Sequence, residues 1–160
     1  MIKKISYIGV LLLTIILLSA WVENKNPVVE IDSITPRGAS NKVNWNALIT
    51  IAGSVYDGLA IPGAYGGSGI SLAQVTALND KNQNDIADTG EGGYVQIGTN
   101  ITTELQNATL KTWTGPKMGT RYRIRLYAED GASNTAETFM NIDIASHVIG
   151  IIGGGIVGGM

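Results

Sequence analysis

The sequence contains no cysteine, a single histidine, a single phenylalanine and only four prolines in 160 residues. Without cysteine there is no disulfide framework, no thiol nucleophile, no lipid-modified cysteine and no thiolate metal site. One histidine excludes a multi-histidine zinc centre within one chain. Charge is sparse as well: 11 Lys and Arg stand against 13 Asp and Glu, a net −2, so nucleic acid is not an expected partner. The glycine-rich stretch Pro62 to Gly69 is not followed by Lys-Ser/Thr, which argues against a phosphate cradle, and no nucleophile-elbow pattern frames any serine. The lone His147 has no acid beside it and reads as a linker residue. An enzyme is therefore not expected.

What the chain does have is two apolar ends. Met1 to Lys4 is a short basic tip, and Ile5 to Val22 is free of charge and rich in Leu and Ile, which is the form of a signal peptide or an N-terminal membrane anchor (1–22). Cleavage after Ala20 satisfies the small-residue rule at the last position but not at Leu18. As an uncleaved helix the segment reaches about 27 Å, enough for a thin bilayer, with Lys3 and Lys4 inside and the rest outside. The tail 147–160 is apolar and glycine-rich, with Gly150, Gly154 and Gly158 four apart. Val148 to Met160 spans only about 20 Å as a helix, and so many glycines oppose a helix in water. It is expected to be a free tail, to dock into a membrane or another subunit, or to complete a neighbour's sheet as a strand.

Between the ends the period-2 signal dominates. In Arg121 to Asp130, Tyr122, Ile124, Leu126 and Ala128 share one face, while Arg121, Arg123, Arg125 and Tyr127 share the other. Gly131 to Asn134 supplies a turn, after which Thr135 to Ile144 alternates with Ala136, Met140, Ile142 and Ile144 inward, completing a hairpin. Weaker strands are expected at Val28 to Ile31, Ala47 to Tyr56, Ile70 to Leu78, Tyr94 to Thr99 and Ala108 to Trp113. Seven short strands separated by Gly, Pro, Asn and Asp predict an all-β antiparallel sandwich over 26–146. The arginine face is expected to pair with carboxylates on neighbouring strands. Trp45, Trp113, Tyr56 and Tyr65 could stack on sugar rings, but core or hairpin packing is the preferred role.

The segment PVVEI with a following SITP, the strand ITIAGSVYD and above all YRIRLYAEDGASNTAETFMNIDI resemble prokaryotic immunoglobulin-like surface domains, whose closing hairpin has the form Y-x-I-x-L-x-A-x-D-x-x-G-N-x-A. Ser133 departs from that pattern, which has Gly before the Asn. The similarity covers about three quarters of the chain and implies an Ig-like fold in a secreted or cell-surface setting.

One constellation carries chemistry. Asp80 to Glu91 (DKNQNDIADTGE) places oxygen-bearing side chains at positions 1 (Asp80), 3 (Asn82), 5 (Asn84), 9 (Asp88) and 12 (Glu91), with the Ile86 carbonyl at 7. That is the ligand schedule of a twelve-residue calcium loop. Four carboxylates against Lys81 give it a net −3, so a cation would relieve their repulsion. At position 6 Asp85 replaces the usual Gly; Asp tolerates left-handed backbone better than most residues. The flanks read as strands rather than helices, so the loop is similar to the EF-hand-like loops in the β-sandwich B repeats of bacterial adhesins, where calcium (Ca2+) rigidifies the domain. A solvated acidic loop whose Asn and Asp serve turns is the competing explanation.

Together these features predict a non-enzymatic exported domain, at the cell surface or membrane-anchored through its N-terminal segment, stiffened by calcium and serving adhesion or envelope structure. The alternatives are a filament or surface-lattice subunit that self-associates through residues 148–160 or by strand donation, and, third, a secreted carbohydrate-binding module.

Overall fold

The computed structural model describes residues 25–37, 42–43, 47–58, 68–114 and 120–145. The expected N-terminal helix, the glycine-rich loop up to Gly67, Trp45, Tyr65, His147 and the tail 148–160 lie outside them. Every described element is a strand: β1 (Val28–Thr35), β2 (Ile49–Tyr56), β3 (Ile70–Asn79), β4 (Val95–Gln96), β5 (Leu105–Trp113), β6 (Arg121–Asp130) and β7 (Thr135–Asp143). They form two antiparallel sheets, ordered β1-β2-β5 and β4-β3-β6-β7. Among the described residues no helix is long and apolar enough to cross a membrane.

Alternation drives the packing. β6 buries every second residue from Tyr122 to Asp130, as a strand with one face on a core must. The inward residues Val75, Ile124 and Leu126 of one sheet and Ile34, Ile49, Ile51 and Val55 of the other are fully buried in a single cluster. Each such side chain contributes about 1.5–3 kcal/mol of transfer free energy. Met140 packs on the rim of the same cluster, and Ile142 and Ile144 lie within it, on the face assigned from the sequence.

Strand limits differ from the sequence pattern where alternation breaks. β1 continues to Thr35 instead of ending at Ile31, because a bulge between Ile31 and Ser33 shifts the phase and lets Ile31 and Ile34 both face inward. β5 begins at Leu105 rather than Ala108; Asn107 has φ 47° and donates its N–H to Ser54 Oγ at 3.0 Å, within an irregular stretch of pairing to β2. β4 shrinks to two exposed residues; Ile97 still donates its N–H to the Val75 carbonyl at 2.8 Å, then Gly98 turns to φ 69° and the chain rejoins β3 at the Ile101–Ala73 bridge.

The outer face of the four-stranded sheet carries the arginine row. Arg125 pairs with Glu137 at 2.6 Å, and its guanidinium lies 5.0 Å from the Tyr127 ring. Arg121 pairs with Asp85 at 3.2 Å. Arg123 instead lies over the Phe139 ring at 4.0 Å, a cation–π contact. Leu78, opposite Arg123 in the β3–β6 register, is fully buried yet outside the central core cluster, so this face has a small apolar layer of its own.

Candidate metal centre

The loop 80–91 leaves β3 and returns as β4, at the end of the sheet where β6 begins. Its twelve residues close by turns of Asn and Asp side chains onto nearby backbone N–H groups, the local chemistry these residues favour. Asp80 is fully buried at the base; its carboxylate accepts from the backbone N–H of Asn84 and of Asp85, both at 3.2 Å. Asn82 Oδ1 accepts from Asn84 N at 3.2 Å, and Asn84 Oδ1 from Ile86 N at 2.9 Å. Asp88 Oδ2 receives the side-chain amides of both Asn82 and Asn84 at 2.7 Å. Glu91 closes the ring: Oε1 accepts from Lys81 N at 2.8 Å and Asn82 N at 3.4 Å, and Oε2 from Asp88 N at 3.2 Å.

All five side chains singled out by spacing therefore belong to one hydrogen-bonded network. Ile86, whose carbonyl fills position 7, points its side chain to solvent. No three acidic or histidine side chains gather at one centre among the described residues. Two asparagine amides turn their positive ends to Asp88. Those two amide hydrogen bonds hold the Asp88 carboxyl below its ordinary pKa.

The backbone bears the strain that the sequence pattern implies. Asp85, at the position normally held by Gly, has φ 63°. Its carboxylate leaves the ring and takes Arg121 Nη2 at 3.2 Å and Asn141 Nδ2 at 2.8 Å. Gln83 also adopts a left-handed conformation, φ 60°, which the spacing did not indicate. Position 6 thus serves as an external anchor, tying the loop to β6 and β7.

The donor set suits a hard cation in type: carboxylate, amide and backbone oxygens, with no sulfur or imidazole. A half-turn of the Asn82 and Asn84 amides would present oxygen in place of nitrogen toward Asp88. Two further buried acids, Asp57 and Asp130, escaped the sequence reading and serve structure instead. Asp57 accepts from Gly69 N at 2.8 Å, and Asp130 caps the β6–β7 turn by accepting from Ala132 N and Asn134 N, both at 2.8 Å. For Asp130 the following Gly-Ala-Ser-Asn turn was the available signal. Comparison with family models, with curated proteins and with solved structures returns no match.

Proposed function

We infer that the chain is a non-enzymatic, exported immunoglobulin-like domain, secreted or held at the cell surface, in which calcium at Asp80, Asn82, Asn84, Ile86, Asp88 and Glu91 stiffens one end of the sandwich for adhesion or envelope structure. The Ig-like assignment draws support from the strand order: β1, β2 and β5 correspond to strands A, B and E, and β3, β6 and β7 to C, F and G. The short fourth strand pairs with the C-type strand rather than with the A-B-E sheet.

The observation that carries the calcium assignment is that five oxygen-bearing side chains, at positions 1, 3, 5, 9 and 12, share one hydrogen-bonded ring closed by Glu91. Bound calcium supplies charge compensation for the acids. The protein's own part is mechanical: Asp80 roots the loop in β3, while Asp85 clamps it to Arg121 of β6 and Asn141 of β7. Stiffening the loop therefore stiffens three strands at once, an alternative to the disulfides this chain lacks.

Thermal unfolding of the full chain with calcium or with chelator tests this. At a hundredfold excess over Kd the expected gain is about 2.7 kcal/mol, a rise in Tm of about 8–12 °C, reversed by chelator and absent in Glu91→Gln. An unchanged midpoint at millimolar calcium would refute the assignment.

A further inference from the structure

A cavity of about 300 Å3 opens beside the loop, at the seam between the two sheets, bounded by the Glu91–Gly93 strap, β4 and the ends of β3, β5 and β6. That volume is at the lower end of those that hold small ligands, room for one ring rather than a chain of them. Two aromatic residues line it, Trp113 from the end of β5 and Tyr122 from the start of β6, their rings edge to face at 5.0 Å. Asn79 and Gln96 border it too; the Gln96 amide is turned to the outer face of the sheet, where its Nε2 donates to Asn100 Oδ1 at 2.8 Å.

Asn79 is the unexpected member. Ala73, Val75 and Ala77 point into the sandwich, and the next residue in that phase is Asn79. Its Oδ1 is buried with no hydrogen-bond partner, and a buried unsatisfied acceptor is destabilising. A half-turn of the amide exchanges its oxygen and nitrogen, so either a donor or an acceptor is available at this wall. No Lys, Arg, His or Asp lines the cavity among the described residues, and the one charged group, Glu91, already accepts three backbone N–H bonds. An anionic ligand would find no counter-ion there, and a cationic one only a carboxylate already engaged by three N–H groups.

We propose that this cavity binds a neutral pyranose ring, its apolar C–H surface against the Trp113–Tyr122 pair and a hydroxyl group on the Asn79 amide. The combination of aromatic surface and an uncharged side-chain amide suits a polyol, which is amphipathic and carries no net charge. The site is separate from the calcium ligands except at Glu91, and binding is read both with calcium and in chelator, so either assignment can fail alone.

The test is an NMR titration of the full 15N-labelled chain in a polyoxyethylene detergent, which has no sugar headgroup. The Trp113 indole resonance is identified by its loss in Trp113→Phe. The probes are the methyl pyranosides of glucose, mannose and galactose, N-acetylglucosamine, and choline chloride as the cationic control. At least one sugar is expected to move the Trp113 resonance saturably with a millimolar Kd. Asn79→Ala should weaken that sugar about tenfold without lowering Tm, since the amide oxygen it removes has no partner. Asn79→Ser, which keeps a small polar group but removes the amide, should weaken it several-fold and serves where Asn79→Ala does not fold. The proposal is overturned if no sugar shifts the resonance, if choline binds and the sugars do not, or if the folded variants bind as the parent does.

Discussion

Asp80 and Arg121 meet through both backbone and side chain: the Asp80 N–H donates to the Arg121 carbonyl at 3.1 Å, and Arg121 Nε stands 4.0 Å from Asp80 Oδ2. At that separation the ion pair is at its outer limit. The weight falls on the buried carboxylate's two shorter bonds, from Asn84 N and Asp85 N. Asp80 is thus the root of the loop, and Arg121, which also holds Asp85, is its buttress.

Replacing that root separates the two roles. Asp80→Ala leaves the Asp85 N–H without its acceptor and the Asn84 N–H with only Asn82 Oδ1, while Arg121 keeps Asp85, and it is expected to cost about 1–3 kcal/mol even in chelator. Asp80→Asn keeps one acceptor oxygen and should cost about half as much. Urea unfolding in chelator measures both; equal stability of Asp80→Ala and the parent would show that the carboxylate does not organise the loop.

The β6–β7 turn offers a gain. Ser133 has φ 67°, a conformation that suits glycine, and it stands where the resembling surface domains carry Gly. Its N–H donates to the Asp130 carbonyl at 3.2 Å, a backbone bond that Gly retains. Ser133→Gly relieves about 1–2 kcal/mol of left-handed strain and gives part of it back in unfolded-chain entropy. The expected result is a net stabilisation of about 0.5–1 kcal/mol by chemical denaturation, and a destabilised variant would contradict it.

How much of this was legible in the sequence depends on whether a feature is local. The β6 and β7 faces follow from strict alternation, which the structure keeps, and the five loop side chains picked out by spacing within twelve residues share one hydrogen-bonded network. The β1 bulge at Ile31/Ser33 and the left-handed Asn107 interrupt alternation, so β1 and β5 both run further than their patterns. The pattern starts β5 only at Ala108, because the Ser54 hydroxyl that receives the Asn107 N–H lies 53 positions away. The same distance problem hid the anchoring of Asp85 by Arg121 and Asn141, and the meeting of Asn79 with Trp113 around one cavity. The arginine row divided: Arg125 found a carboxylate on the neighbouring strand as expected, Arg121 found Asp85 in the loop instead, and Arg123 found the ring of Phe139.

Gly53 shows a constraint of the close-approach kind. It lies buried in β2, paired with Ile31, and a Cβ there would run into the Glu30 carbonyl on β1. Backbone cannot yield as a flexible side chain does, so β1 must move away from the sheet. Gly53→Ala is expected to destabilise by about 2–3 kcal/mol despite being the smallest possible substitution. A loss below about 0.5 kcal/mol in urea unfolding would mean that the β1–β2 pairing yields freely there.

Acid should loosen the loop through Asp88. The Asn82 and Asn84 amides hold its pKa below the ordinary carboxylate value, so the folded protein binds this proton less readily than the unfolded chain. The stabilisation is therefore present in full above the unfolded pKa, near pH 4, and is lost as pH falls through the lowered folded value. Asp88→Asn cannot titrate, so its stability should change less steeply with pH than that of the parent below about pH 4, and match it in slope near neutrality. Stability followed by urea unfolding from about pH 2 to 7 reads this directly; identical acid slopes for the two proteins would remove Asp88 from the account. The same protonation opposes a cation at the ring, so calcium affinity should fall over the same window in the parent, the proton and the metal competing for one carboxylate.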